Sequence, residues 1–160
     1  MNKISIVMVS ESDLETVNET VKLLKDFKIE AEVKVLSAHR TPKELAAYVS
    51  SAPKRGIKVF IAAAGMSAAL SGVIAAHTIL PVIGIPIESG SLKGIDALLS
   101  TVQMPPGIPV ASMAIGKAGA RNAALFALEI LGVSDKKIQL KLINYKKAMA
   151  AKIRNIKVKL

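Results

Sequence analysis

Residues 59–87 read VFIAAAGMSAALSGVIAAHTILPVIGIPI and hold no Lys, Arg, Asp or Glu. The run is longer than the ~20 apolar residues that cross a bilayer, so its reading decides between a membrane span and a folded α/β body. Gly65, Gly72, Pro81, Gly84 and Pro86 interrupt it. Between these breaks, Val59 to Ala62 and Val82 to Ile85 have the length and unbroken apolarity of strands buried on both faces. The Ala-, Ser- and Gly-rich piece between them has helical length. This is how the centre of a parallel sheet reads, and the expectation is a buried strand, helix and strand with no membrane span.

Working outward, the same alternation continues in both directions. Ile4 to Val9 is a strand-length apolar run ended by Ser10-Glu11-Ser12-Asp13. Ser12 with Glu15 has capping-box spacing, and Leu14, Val17, Val21 and Leu24 then repeat at helical intervals. Glu30 to Leu36 reads as a second strand. Thr41 as cap, Pro42 at the first position and Glu44 as box partner open a helix to about Ser51, closed by Pro53 and Gly56. A third strand is expected over Ile57 to Ala63 and a helix over Ala68 to His77. A fourth strand over Pro81 to Ile85, a helix over Leu92 to Val102, a fifth strand over Ile108 to Ile115 and a helix over Ala120 to Leu131 follow. The order βαβαβαβαβα implies a parallel sheet with helices on both faces and right-handed crossovers. Ligands of such sheets bind beyond the carboxyl ends of the strands, which gathers the loops at 10–13, 37–40, 64–67 and 86–91 on one edge.

With 160 residues the chain suits one catalytic-sized α/β unit, residues 1–132, followed by a helical extension over 133–160. The absence of Cys removes disulfides, thiol catalysis and thiolate metal sites. Two His are too few for a multi-histidine metal centre. The net charge of +10 is unevenly spread: residues 136–160 hold nine Lys/Arg and no acid, whereas residues 1–135 hold 13 Lys/Arg against 12 Asp/Glu. From Ser134 a long helix carries Ile138, Leu142, Tyr145, Met149, Ile153 and Ile156 at spacings of three and four. Because five strands precede it, the stripe is expected to pack on a neighbouring subunit, with the lysines on the solvated face. Few aromatics are available to stack on bases, so nucleic acid and membrane are not the expected partners. Lys3 to Val9 runs directly into polar residues without the pattern of a secretory leader, and a cytoplasmic location is expected.

Chemistry concentrates in residues 36–44, LSAHRTPKE. His39 and Arg40 fall in a strand-to-helix loop beside backbone N–H groups that lack intrahelical partners, a place suited to anions. A histidine exchanges protons near neutral pH, and an arginine stays charged to hold a phosphate. A plain surface His-Arg pair fits the same residues. Ser10, Ser12 and Asp13 suit contacts to a phosphate or sugar, but they are equally good helix caps. Gly65, among small residues, allows either close backbone approach to a ligand or close packing. Gly116-Lys117-Ala118-Gly119 lacks the phosphate-loop pattern, and His77 reads as a helix-end residue. Together these loops offer a cation, a proton-transfer group, hydroxyls and a carboxylate. Acid/base work on a small phosphorylated metabolite fits them, as does a non-catalytic module that binds a nucleotide phosphate.

Three motifs in combination carry a family resemblance: Ser-Ala-His-Arg-Thr-Pro (37–42), Leu-Leu-Ser-x-Val-Gln-Met-Pro (98–105) and Ile-Gly-Lys-Ala-Gly-Ala-x-Asn-Ala-Ala (115–124). From about Ile4 to Leu131 the chain resembles the N5-carboxyaminoimidazole ribonucleotide mutases of de novo purine biosynthesis. The resemblance implies a flavodoxin-like three-layer α/β sandwich with a mainly five-stranded parallel sheet and a long C-terminal helix. It implies a homo-octamer acting on a small ribonucleotide, moving a carboxyl group from N5 to C4 of the imidazole without metal or organic cofactor. By position, His39 would transfer the proton, Ser10, Ser12, Asp13, Ser37 and Arg40 would hold the ribose phosphate, and Ala64 and Gly65 would meet the base or carboxylate. Two positions depart from the pattern. Val9 stands where that family has glycine, and Ala69 stands where the mutases have a second histidine. The segment Ser67 to Gly72 resembles instead the sister aminoimidazole ribonucleotide carboxylases, which use CO2 directly.

Overall fold

The computed structural model describes residues 3–158, so the first two residues of the expected unit 1–132 and the last two of 133–160 lie outside it. Five parallel strands stand in the order β2-β1-β3-β4-β5, with β1 at Lys3–Met8, β2 at Glu30–Val35, β3 at Ile57–Ala64, β4 at Val82–Pro86 and β5 at Ala111–Ser112. Helices α1 (Leu14–Asp26), α2 (Pro42–Ser50), α3 (Leu70–Ala76), α4 (Ile95–Val102) and α5 (Gly116–Gly132) connect or follow them, and α6 (Lys136–Arg154) ends the described chain. Residues 59–87 fold into most of β3, α3 and β4, all within the body. Among the described residues no helix is long and apolar enough to cross a membrane.

The register explains why β4, and β3 beyond the exposed Lys58, carry no outward polar positions. Val33, Ile6, Ile61, Ile83 and Ala111 form one row across all five strands. Most of this row packs under α1, α5 and α6 together with Ile4, Leu24, Phe27 and Leu128. On the opposite face Val7, Phe60 and Ala62 pack under α2, α3 and α4 with Leu45, Val49, Leu70 and Ile74. Both faces of the central strands are therefore core, and alternation of polar and apolar residues vanishes there. Thr20 ties the α1–α5 layer by donating to the Ala120 carbonyl at 2.7 Å in a buried position.

Several boundaries differ from expectation for local reasons. The capping box at the start of the first helical segment is Ser10 with Asp13, not Ser12 with Glu15. The Ser10 N–H donates to Asp13 Oδ2 at 3.1 Å, Ser10 Oγ accepts from the Ser12 N–H at 3.3 Å, and a 3-10 turn over Glu11–Asp13 precedes α1. The fifth strand shrinks to two residues beside β4, and at its start Pro109 supplies no N–H to a ladder. Helix α5 starts at Gly116, so the Gly-Lys-Ala-Gly segment is its first turn rather than a preceding loop. Gly119 makes this possible, since a Cβ there would lie 1.6 Å from the Ala114 carbonyl oxygen.

Helix α6 divides its stripe. Asp135 caps it by accepting from the Lys137 and Ile138 amides. Ile138 and Leu142 are buried in the chain's own core, Tyr145 meets the Phe27 ring at 5.9 Å, and Lys141 donates to the Phe27 carbonyl at 2.6 Å. Only the distal part, with Met149, Ile153 and Ile156, stays exposed. The first half of the stripe thus finds its partner within the subunit.

At the β2 edge a polar cluster closes the structure. Tyr48 donates to Glu32 at 2.6 Å and shares a hydrogen bond of 2.9 Å with Ser5, while Arg55 lies over the Tyr48 ring and pairs with Glu32 at 3.1 Å. Burial first, and the Glu32 hydrogen bond next, push the Tyr48 phenol up to about 12. Burial alone would raise the Glu32 carboxyl, but Tyr48, Arg55 and Lys3 outweigh it and hold it below its ordinary 4.5. A carboxyl lowered by folding stabilises the fold above its unfolded value, and that contribution is lost as pH falls through the folded value. Glu32→Gln is therefore expected to lose about 2 kcal/mol at pH 7. In denaturant titrations the difference from the parent should vanish once the pH is well below 4.5.

Candidate active site

The strand order reverses between β1 and β3, and the loops beyond β1, β2 and β3 meet above that point. The β2 loop is fixed by its own backbone. The Ser37 N–H donates to Thr41 Oγ1 at 2.8 Å, Thr41 Oγ1 donates to the Ser37 carbonyl at 3.1 Å, and the Thr41 N–H donates to that carbonyl at 3.0 Å. The Arg40 N–H donates to Ser37 Oγ at 3.1 Å. The Thr41 hydroxyl is thereby used within the loop, and the expected box between Thr41 and Glu44 does not form. Pro42 still takes the first helical turn. Ser37 is buried, whereas His39 and Arg40 stand exposed. A rigid backbone carrying exposed side chains is what proton transfer and anion binding need.

Arg40 reaches across to β1, its Nη2 donating to the Val9 carbonyl at 3.1 Å. It lies between two adjoining hollows, each of about 450 Å³. The first is walled by Val9, by Ser37 to Arg40 and by Ala64 to Leu70. The second is walled by Val9 to Glu11, by Val35 to Ser37 and by Arg40 and Thr41. Of the residues expected at a site, His39, Ala64 and Gly65 line the first hollow, Ser10 lines the second, and Ser37 and Arg40 line both. Ser12 and Asp13 line neither. Ser12 Oγ donates to Ser10 Oγ at 3.0 Å, and Asp13 is turned inward beneath the loop. Burial raises the Asp13 carboxyl above its usual value, against the lowering effect of the Ser10 and Val9 backbone and the Ser12 hydroxyl.

The β3 loop brings features that periodicity does not show. Met66 and Ala68 adopt φ of 53° and 27°, the left-handed region that side chains with a Cβ avoid. Backbone strain of this kind persists only where surrounding structure imposes it. Ala68 and Leu70 are buried and also line the first hollow. As small apolar residues in an apolar run they carry no signal in the sequence. Gly65 does not pack a helix on the sheet. A Cβ there would lie 2.2 Å from Ser89 Oγ, so the glycine lets the β3 and β4 loops touch. His77, the C-cap of α3, lines a separate hollow with Val49, Pro53 and Ile79. His39 is thus the one imidazole in the walls of the two adjoining hollows.

A model of the AIR carboxylase family matches residues 3–152. The chain belongs to the AIR carboxylase family. The match covers every loop that lines the two hollows. Among curated relatives, the N5-carboxyaminoimidazole ribonucleotide mutase of Pyrococcus abyssi is 54% identical over 149 residues, covering 93% of this chain and 84% of the relative. The mutase of Escherichia coli K12 is 45% identical over 151 residues, covering 94% and 89% respectively. Among solved structures, Treponema denticola PurE superposes with a TM-score of 0.86 at 32% identity, covering 96% of this chain and 94% of that one. In this AIR carboxylase family chain the flavodoxin-like α/β fold is therefore observed directly and shared with solved relatives.

The stitched β2 loop makes its own test. Thr41→Val removes both hydroxyl bonds to Ser37 and is expected to cost roughly 1–2 kcal/mol in urea unfolding. Amide exchange should accelerate at Ser37, whose acceptor is lost, and an unchanged rate there would show that the loop is held by other means.

Proposed function

We propose that the chain is an N5-carboxyaminoimidazole ribonucleotide mutase, an isomerase of purine biosynthesis that moves a carboxyl group from N5 to C4 of the imidazole. The observation that carries this reading is His39, held on a rigid loop at the switch point of the sheet beside Arg40 and Gly65. Identities of 45% and 54% to named mutases over most of the chain support the same reaction.

In this reading the two hollows divide the substrate. Ser10, Ser37 and Arg40 take the phosphate, with Ser12 and Asp13 setting the Ser10 loop from behind. The imidazole lies over Ala64 and Gly65, against His39. The bond between N5 and the carboxyl carbon breaks, its electron pair stays on nitrogen, and His39 as imidazolium gives that nitrogen a proton. Carbon C4 then attacks the trapped CO2, and neutral His39 takes the proton from C4. The proton count closes on one imidazole, and exclusion of solvent keeps the CO2 from escaping.

A second reading, direct carboxylation of aminoimidazole ribonucleotide by CO2, is favoured by one observation: Ala69 lines the hollow where the mutase pattern has histidine. Self-association belongs to the proposal as well. Ile95, Leu99 and Val102 on α4, and Met149 and Ile153 on α6 with Ile156 just after it, are exposed apolar stripes, which fit burial in a homo-octamer of a cytoplasmic enzyme. The helical extension would then serve both its own core and a neighbour.

Purified protein is expected to convert the N5-carboxylated substrate at low bicarbonate. His39→Asn should lower kcat by on the order of 10²–10⁴, and Arg40→Ala should raise KM by roughly ten- to a hundredfold. Turnover only of aminoimidazole ribonucleotide with CO2 would move the chain to the carboxylase branch. Light scattering that gave the monomer mass at micromolar concentration would remove the octamer.

A further inference from the structure

The loop after β4 does not line the hollow that holds His39, yet it bears directly on the backbone that does. Ser89 Oγ lies only 2.2 Å from where a Cβ of residue 65 would stand, and Ser89 Cβ lies 3.2 Å from it. The approach comes from outside the hollow, since Ser89 lines a different cavity, with Lys93 and Lys117. Beside it, Gly90 comes close to Met66, whose Cγ lies 4.0 Å from where a Cβ at position 90 would stand. The Ile87 N–H donates to the Ala64 carbonyl at 2.9 Å. The Ile87 hydrogen bond and the Ser89 approach thus register the β4 loop against Ala64 and Gly65.

The Ser89 hydroxyl is buried and has no hydrogen-bond partner. A serine placed there for stability would be bonded, because burying an unpaired hydroxyl weakens a fold. What the side chain does provide is a hard stop behind Gly65. On the mutase reading, we infer that Ser89 is a positioning residue: it sets the depth at which the Gly65 backbone enters the hollow, and so the distance between the reacting carboxyl group and His39. Small displacements of this kind act on the transition state more than on substrate affinity, because the reacting atoms must meet within a narrow range of distance and angle. The neighbouring strain at Met66 and Ala68 fits a loop pressed into place from behind.

The test uses the full chain and three variants. Ser89→Ala removes a group that makes no hydrogen bond, so its melting temperature should equal or exceed that of the parent. Its kcat should nevertheless fall roughly ten- to a hundredfold with KM changed less than about threefold. Gly65→Ala, which drives a Cβ into Ser89, should lower kcat by at least as much, and adding Ser89→Ala should recover part of that loss by relieving the clash. A Ser89→Ala enzyme with parental kcat, or one whose loss of activity follows a loss of thermal stability, would overturn the role. A parent that turns over neither the N5-carboxylated substrate nor aminoimidazole ribonucleotide with CO2 would overturn the mutase reading itself and the role with it. Parental turnover with unaffected Ser89→Ala would overturn only the role of Ser89.

Discussion

A parallel sheet covered by helices on both faces has no face left for chemistry. Past Lys3, Ser5 and Lys58 near their amino ends, the strands β1, β3 and β4 are apolar on both sides and packed under two helical layers, so reactive side chains can stand only beyond the strand ends. Parallel connection then sends every strand-to-helix loop to the same edge. The reversal of order between β1 and β3 opens a gap there, because the connections leave in opposite directions. The position of the site is thus a consequence of how the core is buried, and the identity of the loops decides what the site does.

Within that edge, rigidity and freedom are divided between backbone and side chain. The β2 loop spends the hydroxyls of Ser37 and Thr41 on its own backbone, leaving His39 and Arg40 with exposed side chains on a fixed base. Arg40 is held only at its tip by the Val9 carbonyl. An anionic ligand competes well for a guanidinium held by one neutral acceptor, since charge-assisted bonds are the stronger. Val9 contributes here through its carbonyl, which any residue would offer. The β-branched side chain in place of the family's glycine therefore leaves this contact available.

Much of the architecture was legible in the sequence, for reasons tied to particular residues. The breaks at Gly65, Pro81 and Pro86 divided the long apolar run correctly. The turn signals at Ser10 to Asp13 and Thr41-Pro42 marked loops that the fold brings to one edge. What was hidden depends on choices among equivalent partners. Ser10 and Ser12 both have the chemistry of a cap, and only the turn of the chain after β1 selects Ser10 with Asp13. Thr41 can bond the helix or the loop, and the sequence does not rank the two. The first half of the α6 stripe binds its own subunit because Phe27 and Gly132 leave room for Tyr145 and Leu142, a fact of three-dimensional packing. Met66 and Ala68 have no residue-level sign of left-handed backbone at all.

The distribution of unfavourable features completes the physical account. At the β2 edge, remote from the hollows, Glu32, Tyr48, Arg55 and Ser5 satisfy one another. At the carboxyl edge the opposite holds: Asp13 is buried with a raised carboxyl, Ser89 has an unpaired hydroxyl, and Met66 and Ala68 are strained. A sequence selected for stability alone would relieve these with common substitutions, such as glycine at 66 or alanine at 89. Unpaired buried groups and left-handed residues also occur elsewhere, at Ser71, Asp96, Ser112 and Lys28, but those beside Gly65 and the Ser10 loop match a site whose geometry is imposed by its surroundings, with the cost carried by a core that buries both faces of the sheet.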